Sequence, residues 1–257
     1  MTATVAARLA SAPMSDEPRG GFRWSDHDGV LFDLDGVITP TAEIHERAWA
    51  ELFAGHDYRE ADYLEHIDGK PRYDGVRDFL ASRDVTLPEG SPDDPPGDGT
   101  VCALGNRKNE LFNEVLDREG IAPYPGSSAV LDLLERLDVP AAIVSSSRNA
   151  VPVLEAAGLA ERFDVVVDGV VAAREGLAGK PRPDGYLLGA RRLGVEPGRT
   201  VVVEDAVSGV AAGAAGGFAV TIGVDRGAGP DALLGHGATF VVGDLAELLP
   251  GDVDGPG

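Results

Sequence analysis

Several features are scarce or absent in this sequence of 257 residues, and each absence excludes a class of protein. Cys102 is the single cysteine, which excludes a disulfide framework and a cysteine-based zinc site. No histidine stands with it in a motif that would make it a nucleophile. No apolar run approaches the length of a membrane span, and the first 12 residues lack the apolar segment of a signal peptide. We therefore expect a cytoplasmic protein.

Basic residues are also scarce, with 22 lysines and arginines against 43 acidic residues and a net charge of −21. This charge argues against nucleic acid and against an anionic membrane surface as partners. If the ligand is itself an anion, the few cations must be gathered at one place. The low aromatic content of 6% and the 34 glycines fit short helices and tight turns, and an apolar content of 43% supports a proper core.

The stretch from Val30 to Thr41 holds the most informative pattern. Its apolar run predicts a buried strand over residues 29–34, and two carboxylates, Asp33 and Asp35, come at the strand's end before a glycine. Burying two acids there is costly without a cation, and Mg²⁺ would compensate for that cost. The alternative is a strand followed by an Asp-Gly hairpin turn.

The chain after this strand divides into two parts. Thr41 is the expected N-cap of a helix, and residues 42–120 form a predicted helical unit with a Pro/Gly/Asp loop at 86–100 and a helix over 107–118. From Tyr124 onward, short apolar strands alternate with helices, which predicts a parallel, doubly wound α/β sheet. An insertion after the first strand falls at the carboxyl ends of the strands, where such sheets bind ligands, so the helical unit should cap a site.

Three segments follow from this division. We expect a flexible tail over residues 1–25, a Rossmann-like core made of residues 26–41 and 121–250, and a helical cap domain over residues 42–120. Beyond the first strand, the strands of the core are expected at 141–144, 163–167, 200–203, 218–224 and 239–242.

The residues that can carry chemistry come at the ends of these strands. Each is ordinary when taken alone: serines commonly cap a helix, a loop lysine is usually solvated, and Glu-Asp often belongs to a turn. Their repeated position at the strand ends of one sheet favours a common site. The set is Asp33, Asp35, Ser145, Ser146, Lys180, Glu204 and Asp205.

The chemistry of this set fits phosphoryl transfer, which depends mainly on positioning and on stabilising charge. Asp33 can act as a carboxylate nucleophile, and Asp35 as the general acid and base. Mg²⁺ would quench the repulsion between the nucleophile and the phosphate. The expected metal ligands are Asp33, Asp35 through its backbone carbonyl, Glu204 and Asp205.

The phosphate itself needs partners that are cations or N–H and O–H donors. Lys180 would neutralise phosphate oxygens and the attacking carboxylate. Ser145 and the amides near Ser146, at a helix start, would bind the remaining oxygens.

Four ordered motifs resemble those of the haloacid dehalogenase superfamily, in its phosphatase and phosphomutase branch. They are Phe32-Asp-Leu-Asp-Gly-Val37, Ser145, Lys180-Pro181 and Glu204-Asp205. The resemblance covers roughly residues 28–245 and implies a Mg²⁺ cofactor and an aspartyl-phosphate intermediate. It also implies that the Lys180–Pro181 bond is cis.

Within the superfamily the sequence most resembles the β-phosphoglucomutase family. The resemblance implies interconversion of β-D-glucose 1-phosphate and glucose 6-phosphate through a bisphosphate, with a small sugar phosphate as partner, and we expect a monomer. Arg72 would bind the phosphate remote from Asp33. For Trp49 the alternative to substrate binding is a place in the core of the cap. The residues implied to bind substrate are Thr41, His45, Trp49, Arg72, Lys108, Asn109, Ser146, Arg148 and Asn149.

Two departures from the family pattern leave alternatives open. Pro40 replaces the aspartate usual before Thr41, and the loop at 86–100 is longer than in compact relatives. A sugar-phosphate phosphatase would use the same nucleophile and Mg²⁺ but let water finish the reaction. A non-catalytic sugar-phosphate sensor would not need the intact acids and lysine, and a receiver domain would not need a helical insertion or a second acid at this strand.

Overall fold

A computed structural model describes residues 21–67 and 72–250 of the chain, and its strands in this part form one sheet. The strands are β1 (Gly29–Phe32), β2 (Ala141–Val144), β3 (Val165–Val167), β4 (Thr200–Glu204), β5 (Val220–Val224) and β6 (Phe240–Val242). Every neighbouring pair is parallel, in the order β3-β2-β1-β4-β5-β6. The chain therefore builds outward from β1 first on one side and then on the other, which makes β1 the switch point of the sheet.

Helices follow the strands along the chain. They are α1 (Thr41–Leu52), α2 (Glu60–Asp62), α3 (Arg72–Ala81), α4 (Val101–Glu119), α5 (Pro125–Arg136), α6 (Ala150–Ala156), α7 (Gly169–Glu175), α8 (Asp184–Leu193), α9 (Val207–Ala215) and α10 (Pro230–Gly235). Single helical turns cover Trp24–Asp26, Tyr63–Ile67, Ala160–Arg162, Pro197–Arg199 and Leu245–Leu248. No helix within these described residues is long and apolar enough to cross a membrane.

The central strand shows why both faces of the sheet need helices. Neighbouring side chains of β1 point in opposite directions: Phe32 packs in a cluster with residues of α5, whereas Leu31 packs in another with residues of α8. All four residues of β1 are buried. A strand buried on both faces has an unbroken apolar run, and so the predicted doubly wound α/β sheet is confirmed.

Between β1 and β2 the described residues form helices joined by turns and loops, with no strand of the sheet among them. We call residues 41–119 the helical insert. One apolar cluster lies within the insert, where the rings of Phe53 and Phe79 stack 3.9 Å apart. The opposite sides of α1 and α4, with Ile44 and Phe112, belong to the same cluster as β1. These two helices therefore pack on both regions, and a separate cap domain over residues 42–120 remains a prediction.

The helix boundaries correct two expectations. α4 begins at Val101 rather than at 107, because the Thr100 hydroxyl caps it by accepting a hydrogen bond from the Ala103 N–H at 3.0 Å. Thr41 is not an N-cap: Pro40 holds that position, and Thr41 is the first helical residue, with its hydroxyl donating to Asp35. The expected loop at 86–100 is confirmed.

The segment before β1 corrects a third expectation. Residues 21–25 were expected in a flexible tail, but Trp24 is buried and its Nε1 donates to the backbone oxygen of Leu248 at 3.1 Å. Residues 1–20 of the expected tail lie outside the described part. The helices α7 and α10 were not expected, since each is too short, at seven and six residues, to show a clear helical period.

The cap of α4 gives a first testable prediction. Because Thr100 also donates to Asp94 at 2.7 Å, Thr100→Ala removes two hydrogen bonds and should lower the free energy of unfolding by about 1–2 kcal/mol. Thr100→Ser keeps the hydroxyl and serves as the control. Urea denaturation measures both, and equal stability of the alanine and serine variants would contradict the assigned cap.

Candidate active site

The carboxyl edge of the sheet brings together the residues expected there. The backbone continues the strand pairing for one residue past β1 and β2, since Asp33 N–H donates to Val203 O at 2.9 Å and Ser145 N–H donates to Val167 O at 3.0 Å. The hydrogen bonds therefore fix where the side chains of Asp33 and Ser145 begin, at the ends of the adjacent strands β1 and β2. Asp35, Lys180, Glu204 and Asp205 join Asp33 and Ser145 at the same edge.

Lys180 lies at the centre of this group. Its Nζ donates to Asp33 Oδ1, to Glu204 Oε1 at 2.6 Å and to the Val144 carbonyl oxygen at 3.1 Å. Burial opposes the charge of Lys180, but the carboxylates of Asp33 and Glu204 outweigh it and raise the pKa of this lysine well above its ordinary value. The expected cis Lys180–Pro181 bond is confirmed.

Glu204 has its carboxylate oxygens engaged with protein groups. Oε1 accepts from Lys180 and from the Tyr186 hydroxyl at 3.1 Å, and Oε2 accepts from the Ala206 N–H at 2.9 Å. These contacts make Glu204 an anchor for Lys180, while its expected role as a metal ligand stays a prediction. Tyr186 was not identified from the sequence, since an aromatic residue two positions after a helix start is ordinarily read as core.

Asp35 lies between two hydroxyl groups. Its Oδ1 accepts from Thr41, and its Oδ2 accepts from Ser145 at 3.3 Å. Burial raises the pKa of Asp35, while the hydrogen bond from Thr41 and the charge of Lys180 act against this rise. A raised pKa favours the protonated form of this carboxyl group, which is the form that a general acid needs.

The charges at this edge fit a divalent cation. Four acids converge there on one lysine, and burial, strengthened by the charge of Glu204, raises the pKa of Asp205 to about 7. Burial likewise raises the pKa of Asp33. The described residues hold no group of three or more His, Cys, Asp or Glu side chains arranged to bind a metal alone. Such a site suits Mg²⁺, which takes few carboxylates and completes its shell with water and phosphate oxygens.

A second group of cations lies in the helical insert, next to Asp35. Lys108 is buried, and its Nζ lies 2.5 Å from His45 Nδ1 and about 5 Å from the ring centres of Trp49 and Phe112. Burial, together with the charge of Arg72, lowers the pKa of Lys108 to about 7. Burial and the charge of Lys108 lower the pKa of His45 well below its ordinary value, so that a neutral His45 accepts the hydrogen bond.

Two arginines complete this group from either side. Burial lowers the pKa of Arg72, and the charge of Arg148, in the loop after β2, lowers it further. Among the described residues, no carboxylate forms an ion pair with Arg72, Lys108 or Arg148. Cations that face one another without an acidic partner form a site for an anion.

The remaining expected residues differ in their positions. The Asn149 side-chain amide donates to Asn109 Oδ1 at 2.9 Å, which joins the loop after β2 to the insert. Ser146 is exposed beside Ser145. Trp49 is buried and stacks on Phe53, so its side chain belongs to the core of the insert, the alternative place expected for it. Asn109 lies within α4, not at a helix start.

Comparison with known proteins agrees with this geometry. The family model for haloacid dehalogenase-like hydrolases matches residues 27–217, and the chain belongs to this family. It is 45% identical to the β-phosphoglucomutase of Mycobacterium bovis over an alignment of 236 positions, which covers 85% of this chain and 90% of that protein. Within the family, the chain therefore belongs with the β-phosphoglucomutases.

Two further relatives widen the comparison. Hexitol phosphatase A of Escherichia coli is 35% identical over 193 residues, 74% of this chain and 79% of that protein. The crystal structure of a mutant of CbbY from Rhodobacter sphaeroides, in complex with xylulose 1,5-bisphosphate, superposes with a TM-score of 0.67 at 26% identity. The superposition covers 86% of this chain and 96% of the CbbY chain. Members of the family are phosphomutases and phosphatases that generally use Mg²⁺.

The packing around Glu204 gives a second testable prediction. Gly209 lies inside α9, where alanine ordinarily stabilises a helix by about 1 kcal/mol. A Cβ at this position would lie 1.6 Å from Glu204 Oε1, and so Gly209→Ala should instead lower the free energy of unfolding, by about 2 kcal/mol or more.

Gly235, within α10, provides the matched control, because a Cβ there would meet nothing within 4 Å. Gly235→Ala should leave the free energy of unfolding nearly unchanged or raise it. Chemical denaturation of both variants measures the difference. A Gly209→Ala protein as stable as the parent would show that Glu204 does not need this space.

Proposed function

We propose that the protein is a phosphomutase that interconverts β-D-glucose 1-phosphate and glucose 6-phosphate through a phosphorylated Asp33 and β-glucose 1,6-bisphosphate. The observation that supports it most is that Asp35 has cations near it from both the sheet and the helical insert. Lys180 lies against Asp33. Lys108, with two arginines, lies on the other side, in the helical insert. A bisphosphate carries two anionic groups and needs such a pair of sites.

The reaction proceeds in two transfers related by a turn of the sugar. In the first, a sugar hydroxyl attacks the phosphorus of phospho-Asp33, and Asp35 takes up the hydroxyl proton. The bisphosphate then turns, so that its other phosphoryl group faces Asp33. In the second, an Asp33 carboxylate oxygen attacks that phosphorus, and Asp35 returns the proton to the leaving oxygen.

The surrounding residues hold these groups in place. Lys180 and Ser145 bind the oxygens of the phosphoryl group being transferred, while Arg72, Lys108 and Arg148 bind the other phosphate. Thr41 orients Asp35 through its hydroxyl. Asn109, Asn149, Ser146 and His45 would contact the sugar.

A bound Mg²⁺ would neutralise phosphate oxygens beside the nucleophile, held by Asp33, by Asp205 and by the backbone carbonyl of Asp35. Glu204 stands next in this acidic group and keeps Lys180 directed at Asp33. The excess of buried carboxylates over cations at this edge supports the assignment.

A sugar-phosphate phosphatase is the second candidate, supported by the similarity to hexitol phosphatase A. Both reactions share the phosphorylated aspartate and differ in what removes the phosphoryl group. Water would serve a phosphatase, which does not need a second phosphate site. The buried Lys108 therefore favours the mutase, because burying a lysine without an acidic partner is costly and calls for an anionic ligand.

The product of the reaction tests the proposal directly. With β-glucose 1-phosphate, Mg²⁺ and a trace of the bisphosphate, the protein should form glucose 6-phosphate with little inorganic phosphate. ³¹P NMR resolves the two products. Asp33→Asn, which replaces the nucleophilic carboxylate by a weakly nucleophilic amide, should lower kcat by about 10³-fold or more. Inorganic phosphate as the main product would favour the phosphatase.

Lys108 gives a prediction that separates binding from stability. Lys108→Met keeps an unbranched chain between Trp49 and Phe112 but removes the charge, so the KM for the sugar phosphate should rise about 10-fold or more. The free energy of unfolding should not fall at pH 7. The lowered pKa of Lys108 means that folding disfavours its charged form, and the substitution removes this cost.

Arg107, one position earlier on α4, provides the matched control because it pairs with Asp98 at the surface. Arg107→Met should leave the KM unchanged, because this side chain pairs with Asp98 and not with the proposed phosphate site. It should also change the free energy of unfolding by at most about 1 kcal/mol, since exposed ion pairs contribute little to stability. Initial-rate kinetics and urea denaturation measure both variants. An equal rise in KM for the two variants would rule out a specific phosphate site at Lys108.

A further inference from the structure

The helical insert joins the sheet through two linkers, residues 33–40 after β1 and residues 120–124 before α5. The linkers lie side by side, since the Tyr124 N–H donates to the Ile38 carbonyl oxygen at 2.9 Å. The backbone connects the insert to the sheet at these two segments. Any movement of the insert relative to the sheet must therefore bend both of them.

Arg226, in the loop after β5, contacts both linkers. Its Nε donates to Gly36 O at 2.9 Å, and its guanidinium carbon lies 3.8 Å from the centre of the Tyr124 ring. On the other side, Nη1 donates to Gly243 O at 3.2 Å, and Nη2 lies 3.5 Å from the carboxylate of Asp244. One side chain thus ties the two linkers to the loops that follow β5 and β6.

The peptide that Arg226 binds lies between two acids of the site. Gly36 directly follows Asp35, has φ of +80°, and donates its N–H to Thr39 O at 2.8 Å. A Cβ on Gly36 would lie 2.0 Å from Asp205 Oδ2, so this backbone packs directly against that carboxylate. A shift of the Gly36 carbonyl would therefore move the backbone that carries Asp35 and the surface on which Asp205 rests.

The chemistry of the contact requires an arginine. A planar guanidinium can stack on a ring while its N–H groups donate in different directions within the plane, whereas a lysine ammonium donates from a single point. We propose that Arg226 is a positioning residue that holds both linkers of the insert and so keeps Asp35 directed at the substrate. The kinetic part of this inference rests on the proposed phosphoryl transfer, and the structural part does not.

Hydrogen–deuterium exchange of the full chain without ligand tests the structural part. Arg226→Met should speed exchange at residues 36–39 and 124–127 by about 3-fold or more, because both segments lose their tie to the sheet. Exchange in β1 and β4 should stay at the parent rate. Arg226→Lys should fall between the two, since it keeps one donor, and it carries the test if the methionine variant does not fold.

Steady-state kinetics tests the functional part. Arg226→Met should lower kcat about 10-fold and change the KM for the sugar phosphate less than about 3-fold, because a displaced Asp35 affects proton transfer more than phosphate binding. Arg199→Met is the control: Arg199 also makes two hydrogen bonds, to Asp28 at 2.6 and 2.7 Å, but at the amino end of the sheet. This variant should keep the parent kcat and the parent exchange in both linkers.

Three results would overturn the inference. They are parent-like exchange in both linkers of Arg226→Met, faster exchange spread over all strands of the sheet, and an unchanged kcat beside loosened linkers. Absence of mutase activity in the parent protein would end the proposed function but leave the exchange result intact, so the two failures are distinguishable.

Discussion

The contact of the Lys180 ammonium with Asp33 and Glu204 is the interaction on which the rest of the site depends. The two acids stand at the ends of neighbouring strands, and the third partner of Lys180, the Val144 carbonyl, ends the strand on the other side of β1. One lysine therefore joins three strands at the edge where the sheet meets the helical insert. It does not neutralise four acids, and the negative charge that remains supports the metal ion proposed for this edge.

The excess of charge has the opposite sign on the side of the helical insert that faces this edge. The sheet edge has more carboxylates than cations, whereas the facing side of the insert has Lys108 and Arg72 without a carboxylate partner among the described residues. Asp35 lies where the two regions meet, with hydrogen bonds from Thr41 of the insert and Ser145 of the sheet. The order of the chain creates this meeting, because the insert follows the central strand directly. With a divalent cation at the sheet edge, positive charge would lie on both sides of Asp35, which matches a bisphosphate with a sugar between its phosphates.

The sequence was sufficient to predict which strand ends meet, because parallel strands align their carboxyl ends whatever the loops do. For that reason Asp33, Ser145 and Glu204 could be placed together before any coordinates, whereas Lys180 reaches the same edge from the loop between α7 and α8. It was not sufficient for Tyr186, Gly209 or Arg226. The roles of these residues depend on a hydroxyl direction, on a missing Cβ and on a guanidinium that spans distant loops. Packing across the fold decides such contacts, and local pattern does not record them.

The central claim is that the phosphoryl group of Asp33 passes to a sugar and not to water. Single-turnover transfer from ³²P-labelled phosphoenzyme to glucose 6-phosphate measures this most directly, with the quenched products separated by charge. The proposed pair of phosphate sites, one at Lys180 and one at Lys108, predicts that most of the label appears in glucose 1,6-bisphosphate within the first turnover. Label recovered chiefly as inorganic phosphate, at a rate that added glucose 6-phosphate does not change, would contradict the account.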